Sequence, residues 1–220
     1  MAAATEIERI YKTLEARDPE HTTICVGGAA ISIAFAEAGL PTATIPAQYE
    51  DVDVLCSQEY FDNLIRNVKD LEGVDKFQLR WPKGRLKEQG ATNQSIDIYP
   101  DMRAREEGVL PFTACVSMSD LLYPIDYDSC INQPEKVLEA QDIKYLRLSE
   151  ILRWISIIGR EKDLRKVEET LPIAYEAGVL TDEEHEAILV EYRTSLQKRT
   201  ADNTRPYARL DLSLTDLGVT

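Results

Sequence analysis

Histidine is scarce in this sequence, and cysteine occurs in no useful arrangement. Only His21 and His185 are present among 220 residues, one just before a strand-like run and one inside the acidic stretch TDEEHEA (181–187). Ser-His-Asp catalysis and histidine-rich metal centres therefore have almost nothing to be built from. The four cysteines, Cys25, Cys56, Cys115 and Cys130, are scattered and include no Cys-x-x-Cys pair. That argues against a zinc site and against a disulfide framework. Cys25 and Cys56 fall in apolar strand-like runs, where small buried thiols are expected. Long apolar runs are missing too: the longest, ICVGGAAISIAFA (24–36), is too short to span a bilayer and carries a double glycine. The N-terminal stretch is charged from Glu6 onward and lacks a signal-peptide core. The expectation is an intracellular, cytoplasmic protein with no membrane partner.

Positive charge is also in short supply. Lys and Arg number 25 against 39 Asp and Glu, a formal net charge of −14. An overall negative field repels phosphate backbones, which disfavours a loosely held, charge-steered nucleic acid and leaves room for a local basic patch. Whatever chemistry the chain performs must lean on carboxylates, hydroxyls and basic side chains. Hydrophobic residues make up 44% and charged residues 29% of the chain, a balance that supports a real core rather than disorder.

What is present alternates between strand and helix signals. ATEIERIYKTLEAR (4–17) spaces Ile7, Ile10, Tyr11 and Leu14 as an amphipathic helix. TTICV (22–26) reads as a strand, and the glycines after it turn into an apolar helix ending at Gly39. LPTATIPAQYE (40–50) is a proline-punctuated loop, and DVDVLC (51–56) a second strand. Ser57 caps a helix that runs toward Gly73. DKFQLRW (75–81) and QSIDIYP (94–100) form an antiparallel hairpin across a polar turn. From 101 to 143 the signals are mixed, with a short helix expected at MSDLLYP (118–124) and a loop around IDYDSCINQP (125–134). IKYLRL (143–148) is a further strand. After it come a helix capped by Ser149 and broken near Gly159, then a helix opened by the capping box Thr181–Glu184, and a loose tail beyond Ala201. The shift near residue 148 divides the chain into 1–148, a strand-bearing core, and 149–220, a helical C-terminal region.

The chemistry is carried by three aspartates. Residues two apart on a strand share a face at roughly 7 Å between Cα atoms, so Asp51 and Asp53 project together while Val52 and Val54 face the other side. Two such carboxylates can converge on one hard cation or bracket two. Mg²⁺ (or Mn²⁺) suits oxygen-only ligation that keeps waters and accepts phosphate. Asp97, between Ile96 and Ile98, offers a third carboxylate from a neighbouring strand, able to ligate metal and to accept a proton from an attacking hydroxyl. Solvated strand-end punctuation is the plainer reading of either motif alone. Aspartate is depleted from strand interiors, so the three together favour a site. Gly27 and Gly28 sit between a strand and a helix, where backbone can approach a ligand and free N–H groups can meet phosphate, and Ser32 lies about one turn inside.

Gly27-Gly28 at the strand–helix turn, Asp51-Val-Asp53 on the next strand and Asp97 on a later one resemble the signature of the nucleotidyltransferase superfamily. That group includes polymerase-beta-like enzymes, antibiotic nucleotidyltransferases and abortive-infection toxins of toxin–antitoxin systems. GREKDLRKVEE (159–169) resembles the Arg-x-Lys-Asp helix of its toxin-like and antibiotic-modifying members. The match covers about residues 22 to 170. The resemblance implies an α/β (α+β) nucleotidyltransferase-like fold, a mixed sheet flanked by helices with a helical C-terminal part. It implies that Gly27 and Gly28 cradle a triphosphate and that Asp51, Asp53 and Asp97 hold the metal ions. Asp97 is then also the base, with Arg160, Lys162 and Asp163 as nucleotide contacts, although on the residues alone REKD also reads as a solvated helix face. The expected activity transfers a nucleoside monophosphate from an NTP, ATP among the candidates, to an acceptor hydroxyl with release of pyrophosphate. The acidity of the chain tilts the acceptor toward a small molecule or protein, with tRNA retained. Two rivals stand beside this: a catalytically degenerate nucleotide-binding or regulatory module on the same fold, and a metal-dependent phosphohydrolase.

Overall fold

The first helix, α1 (Ala2–Arg17), buries Ile7, Ile10 and Leu14 along the stripe expected from their spacing. In this computed structural model residues 2–40, 51–81, 94–118 and 125–201 are described. The expected loop at 40–50 with Tyr49 and Glu50, the turn at 82–93, the helix expected at MSDLLYP and the tail after Ala201 lie almost wholly outside the described residues. The Asp18 carboxylate closes the connection from α1, accepting the Thr22 hydroxyl at 2.9 Å and the Thr23 N–H at 2.6 Å. That fixes the entry into β1 (Ile24–Val26), which runs straight into α2 (Gly27–Glu37).

Seven strands make one mixed sheet. After α2 come β2 (Val52–Leu55), α3 (Gln58–Asn67), β3 (Val74–Arg80), β4 (Ser95–Pro100), α4 (Met102–Glu106), β5 (Phe112–Cys115), α5 (Tyr127–Ile131), β6 (Val137–Ala140) and β7 (Ile143–Leu146). The strand order is β3-β4-β5-β2-β1-β7-β6. The pairs β1–β7 and β2–β5 are parallel; β1–β2, β3–β4, β4–β5 and β6–β7 are antiparallel. Then α6 (Leu148–Ile158), α7 (Glu161–Glu176) and α8 (Asp182–Ala201) complete the described chain. This is the expected mixed sheet flanked by helices with a helical C-terminal part.

Several local expectations hold and others are corrected. The Ser57 hydroxyl accepts the Tyr60 N–H at 3.1 Å as the α3 cap. Gly159 ends α6 in the left-handed region at φ 68°, as its position foretold. The capping box is complete: Thr181 donates its N–H to Glu184 Oε2 at 2.9 Å, and the Glu184 N–H reaches the Thr181 hydroxyl at 3.2 Å. Ser149, expected as a cap, instead lies inside the first turn of α6, whose cap position is Arg147; its hydroxyl bonds Glu184. The segment read as a loop around IDYDSCINQP contains α5, capped by Asp126, whose carboxylate accepts the Ser129 N–H at 2.8 Å.

One continuous apolar cluster spans the sheet and the helices on both sides of residue 148, from Ile24 and Val54 to Ile151, Leu152 and Val167. Phe35, Phe61 and Phe112 are fully buried within it, each contributing roughly 1.5–3 kcal/mol by area. Helix α2 is apolar all round because it is enclosed by α1, the sheet and α6. All four cysteines are free and buried. Burial pushes the Cys56 thiol up to about 12 and Cys130 to about 11, so neither is a thiolate near neutral pH. Among the described residues no helix is long and apolar enough to cross a membrane.

Candidate active site

A single row of paired residues crosses five strands: Val26, Asp53, Thr113, Asp97 and Gln78. Residues directly paired across a sheet share a face, so Asp53 and Asp97 project from the same side. The sequence reading put Asp97 on a strand neighbouring the Asp51/Asp53 strand. The structure corrects this: β5, which the sequence did not reveal, lies between them and contributes Thr113 to the gap. Two strand spacings separate the Asp53 and Asp97 backbones, about 10 Å. Among the described residues, accordingly, no group of three or more His, Cys, Asp or Glu stands assembled to hold a metal ion.

The three acids occupy different environments. Asp51 is exposed just before β2, Asp53 is half-buried within it, and Asp97 is only 5% exposed. Burial pushes the Asp53 carboxyl up to about 7, helped by the negative charges of Asp51 and then Asp97. The ammonium groups of Lys166 and Lys162 pull it back down. Asp97 is also raised, chiefly by burial, against the guanidinium of Arg80 and the hydroxyl of Thr113. The Thr113 hydroxyl donates to Asp97 Oδ1 at 3.0 Å, and Arg80 forms an ion pair through Nη2 with Asp97 Oδ2. Arg80 closes β3, and its Nε, like Asp97 Oδ2, is buried with no hydrogen-bond partner among the described residues.

The glycine corner abuts Asp53. Gly27 opens α2 at φ +64°, and a Cβ built on it would lie 3.0 Å from Asp53 Oδ2. No larger residue fits that cradle without moving the carboxylate or the helix start. Gly28 follows in the same first turn, next to the helix N–H groups that have no partner within the helix. Ser32 is buried, at 2% exposure, so its hydroxyl lies inside the protein.

Helix α7 supplies the cations. Lys162 is exposed and Lys166 half-buried, one turn apart on the helix. Arg160 is otherwise engaged: Nε pairs with Asp163 Oδ2, and Nη2 donates to Oδ1 at 3.2 Å, while Asp163 itself is only 3% exposed. Asp163 thus holds Arg160 at the start of α7. Lys166, Arg80 and Thr113 received no role from the sequence. Lys166 was detectable as the i+4 partner of Lys162, and Arg80 as the residue sharing a strand face with Gln78. Thr113 required knowledge of β5.

The donor set near Asp53 fits a hard divalent cation. It is oxygen-only, the charge of Asp51 acts on Asp53, and the half-buried Asp53 carboxyl is left under like-charge repulsion that a cation would relieve. Asp97 joins that set only by changing partners.

No family model and no curated protein matches the chain. Among solved structures, the chain is similar to the Megavirus polyadenylate synthase at 12% identity and a TM-score of 0.38, over 90% of this chain and 36% of that one. It is also similar to JHP933 from Helicobacter pylori at 9% identity and a TM-score of 0.38, over 96% of this chain and 98% of that one.

Proposed function

We propose that this chain is a metal-dependent nucleotidyltransferase that moves a nucleoside monophosphate from an NTP to an acceptor hydroxyl and releases pyrophosphate. One observation carries the reading. A half-buried aspartate on a central strand has two further carboxylates acting on it, a glycine backbone pressed against it and two lysines opposite. An acidic centre with adjacent phosphate-binding groups is what triphosphate chemistry requires.

Asp51 and Asp53 would hold a Mg²⁺ or Mn²⁺ ion, with Asp97 as the third ligand. A divalent cation supplies charge neutralisation on the triphosphate and polarisation at phosphorus. Gly27 and Gly28 let the backbone at the start of α2 approach the phosphates, with its N–H groups as donors. Lys162 and Lys166 would compensate the charge that develops on the departing pyrophosphate, and Asp163 would hold Arg160 beside them. Asp97 would accept the proton of the acceptor hydroxyl as the new oxygen–phosphorus bond forms and the bond to pyrophosphate breaks. The acidity of the whole chain favours a small, even cationic, acceptor or a protein side chain over a long nucleic acid.

The ion pair between Arg80 and Asp97 favours a second reading, a nucleotide-binding module without turnover, because the candidate base is already engaged. Incubation with each α-labelled NTP and Mg²⁺ or Mn²⁺, with and without cell extract, separates the two. Label appearing in an acceptor together with pyrophosphate supports transfer; binding without either supports the module. Asp51→Ala and Asp53→Ala are each expected to lower labelling by at least about a hundredfold, with an unchanged circular dichroism spectrum. Undiminished transfer by either variant removes the mechanism.

A further inference from the structure

Asp97 is the most buried of the three carboxylates: Thr113 donates to its Oδ1, while its Oδ2 has the ion pair with Arg80 and no hydrogen bond among the described residues. Thr113 comes from the strand between Asp97 and Asp53, so its bond to Oδ1 is compatible with a carboxylate turned toward the row. Arg80 comes from the other side, from the edge strand β3, and takes Oδ2. A guanidinium on a carboxylate oxygen competes directly with any cation seeking that oxygen, because both bind the same lone pairs. The grip is also incomplete. Among the described residues neither Arg80 Nε nor Asp97 Oδ2 has a hydrogen-bond partner, so this is not a fully satisfied pair. The Arg80 side chain is 32% exposed against 7% for that of Asp97, so the arginine is the member with room to leave. Phosphate oxygens would offer its planar donor fork a better-matched anion than one carboxylate oxygen.

We infer that Arg80 is a phosphate-responsive latch on Asp97, a positioning residue that keeps the third carboxylate away from the metal until a triphosphate draws the guanidinium off. The inference rests on the reading of Asp51, Asp53 and Asp97 as one centre. It accounts for two facts together: Asp53 and Asp97 are aligned by strand register with Asp51 next to them in the chain, yet among the described residues the three are not gathered into a ligand set. It makes metal and nucleotide binding mutually reinforcing, since whichever displaces Arg80 prepares the site for the other. Free cation in the absence of nucleotide meets only Asp51 and Asp53.

The test is Mn²⁺ binding to the full chain without nucleotide, followed by electron paramagnetic resonance. Arg80→Gln is expected to bind Mn²⁺ roughly tenfold more tightly than the unaltered protein, a factor typical of coupled sites. In an Asp97→Asn background the same substitution is expected to change Mn²⁺ affinity little, because the latch has nothing left to hold. Equal affinity of Arg80→Gln and the unaltered protein overturns the latch. So does a gain of the same size in the Asp97→Asn background, which marks a general charge effect instead. If Arg80→Gln does not fold, Arg80→Met, with an uncharged stem of similar length, carries the same expectation. Absence of Mn²⁺ binding from every variant, with and without a non-hydrolysable NTP, overturns the carboxylate centre itself and the latch with it.

Discussion

Gly27 and Asp53 are packed so that a single added methyl group would fall 3.0 Å from a carboxylate oxygen, at a backbone angle of φ +64°. Both facts demand glycine at this corner, one through space and one through conformation. The register explains the closeness. Val26 is paired with Asp53, and the next residue must leave the sheet to start α2 directly above that side chain.

Gly27→Ala is therefore expected to cost about 1–2 kcal/mol from the left-handed backbone alone. Displacing Asp53 should also reduce nucleotidyl transfer far more than the stability loss explains. Thermal denaturation and labelled-NTP transfer, measured on the same preparation, check the two effects separately.

Asp53 gives the metal-free protein a definite pH dependence. Its carboxyl is raised to about 7 in the folded state and has an ordinary value near 3.9 when unfolded. Between these values the unfolded chain has released the proton while the folded one retains it. The contribution is therefore fully present below the unfolded value and is lost as pH rises through about 7. In chelator, Asp53→Asn is expected to flatten the decline of stability between pH 5 and 8. It should be the more stable protein at pH 8, by roughly 1–3 kcal/mol, since a half-buried group realises only part of the full shift. Urea denaturation at several pH values measures this.

Lys166 and Lys162 draw the Asp53 carboxyl down, and under the proposed function the same charges would act on phosphate. Lys166→Ala is expected to weaken nucleotide binding about tenfold, roughly 1.4 kcal/mol, and Lys162→Ala less, because it is more exposed. Fluorescent-nucleotide titration at two salt concentrations checks the order and its ionic origin.

The capping box sets the stability of the last helix. Thr181→Ala removes the acceptor for the Glu184 N–H and is expected to cost about 1 kcal/mol. Burial tends to raise the Glu184 carboxyl. The Thr181 N–H, the Ser149 hydroxyl and Arg147 outweigh that and leave it lowered. The associated stability is present above the unfolded value and lost as pH falls through the folded one. Denaturant unfolding of Glu184→Gln should lack that loss on the acid side.

Much of this was legible in the residues, and the exceptions have physical causes. Helix α1, the Ser57 cap, the Gly159 break and the Thr181–Glu184 box depend on local chemistry, which sequence displays directly. The β3–β4 hairpin was visible in the alternation of DKFQLRW and SIDIYP. Strand β5 was not, because Phe112–Cys115 is four residues long and carries no clear period, and its place is set by partners on both sides. Strand β6 was missed for two reasons. It lies on the sheet edge with Leu138 and Glu139 exposed, and its turn to β7 uses Gln141 and Asp142 at φ 50° and 64° rather than the Asn-Gly that would advertise it. At the site, the two glycines and the acidic pair stood out, while Arg80 and Thr113 gain meaning only once β5 separates Asp97 from Asp53.

The distribution of charge along the chain has a consequence for synthesis. The acidic strand and its partners are translated early, whereas Lys162 and Lys166 arrive on α7, after the last strand of the sheet. A nascent or truncated chain ending at β7 would keep Arg80 opposite Asp97 but would leave Asp53 without the Lys162 and Lys166 ammonium groups. Such a fragment is expected to hold the Asp53 proton to higher pH than the whole protein does, because the two lysines are what draw that carboxyl back down.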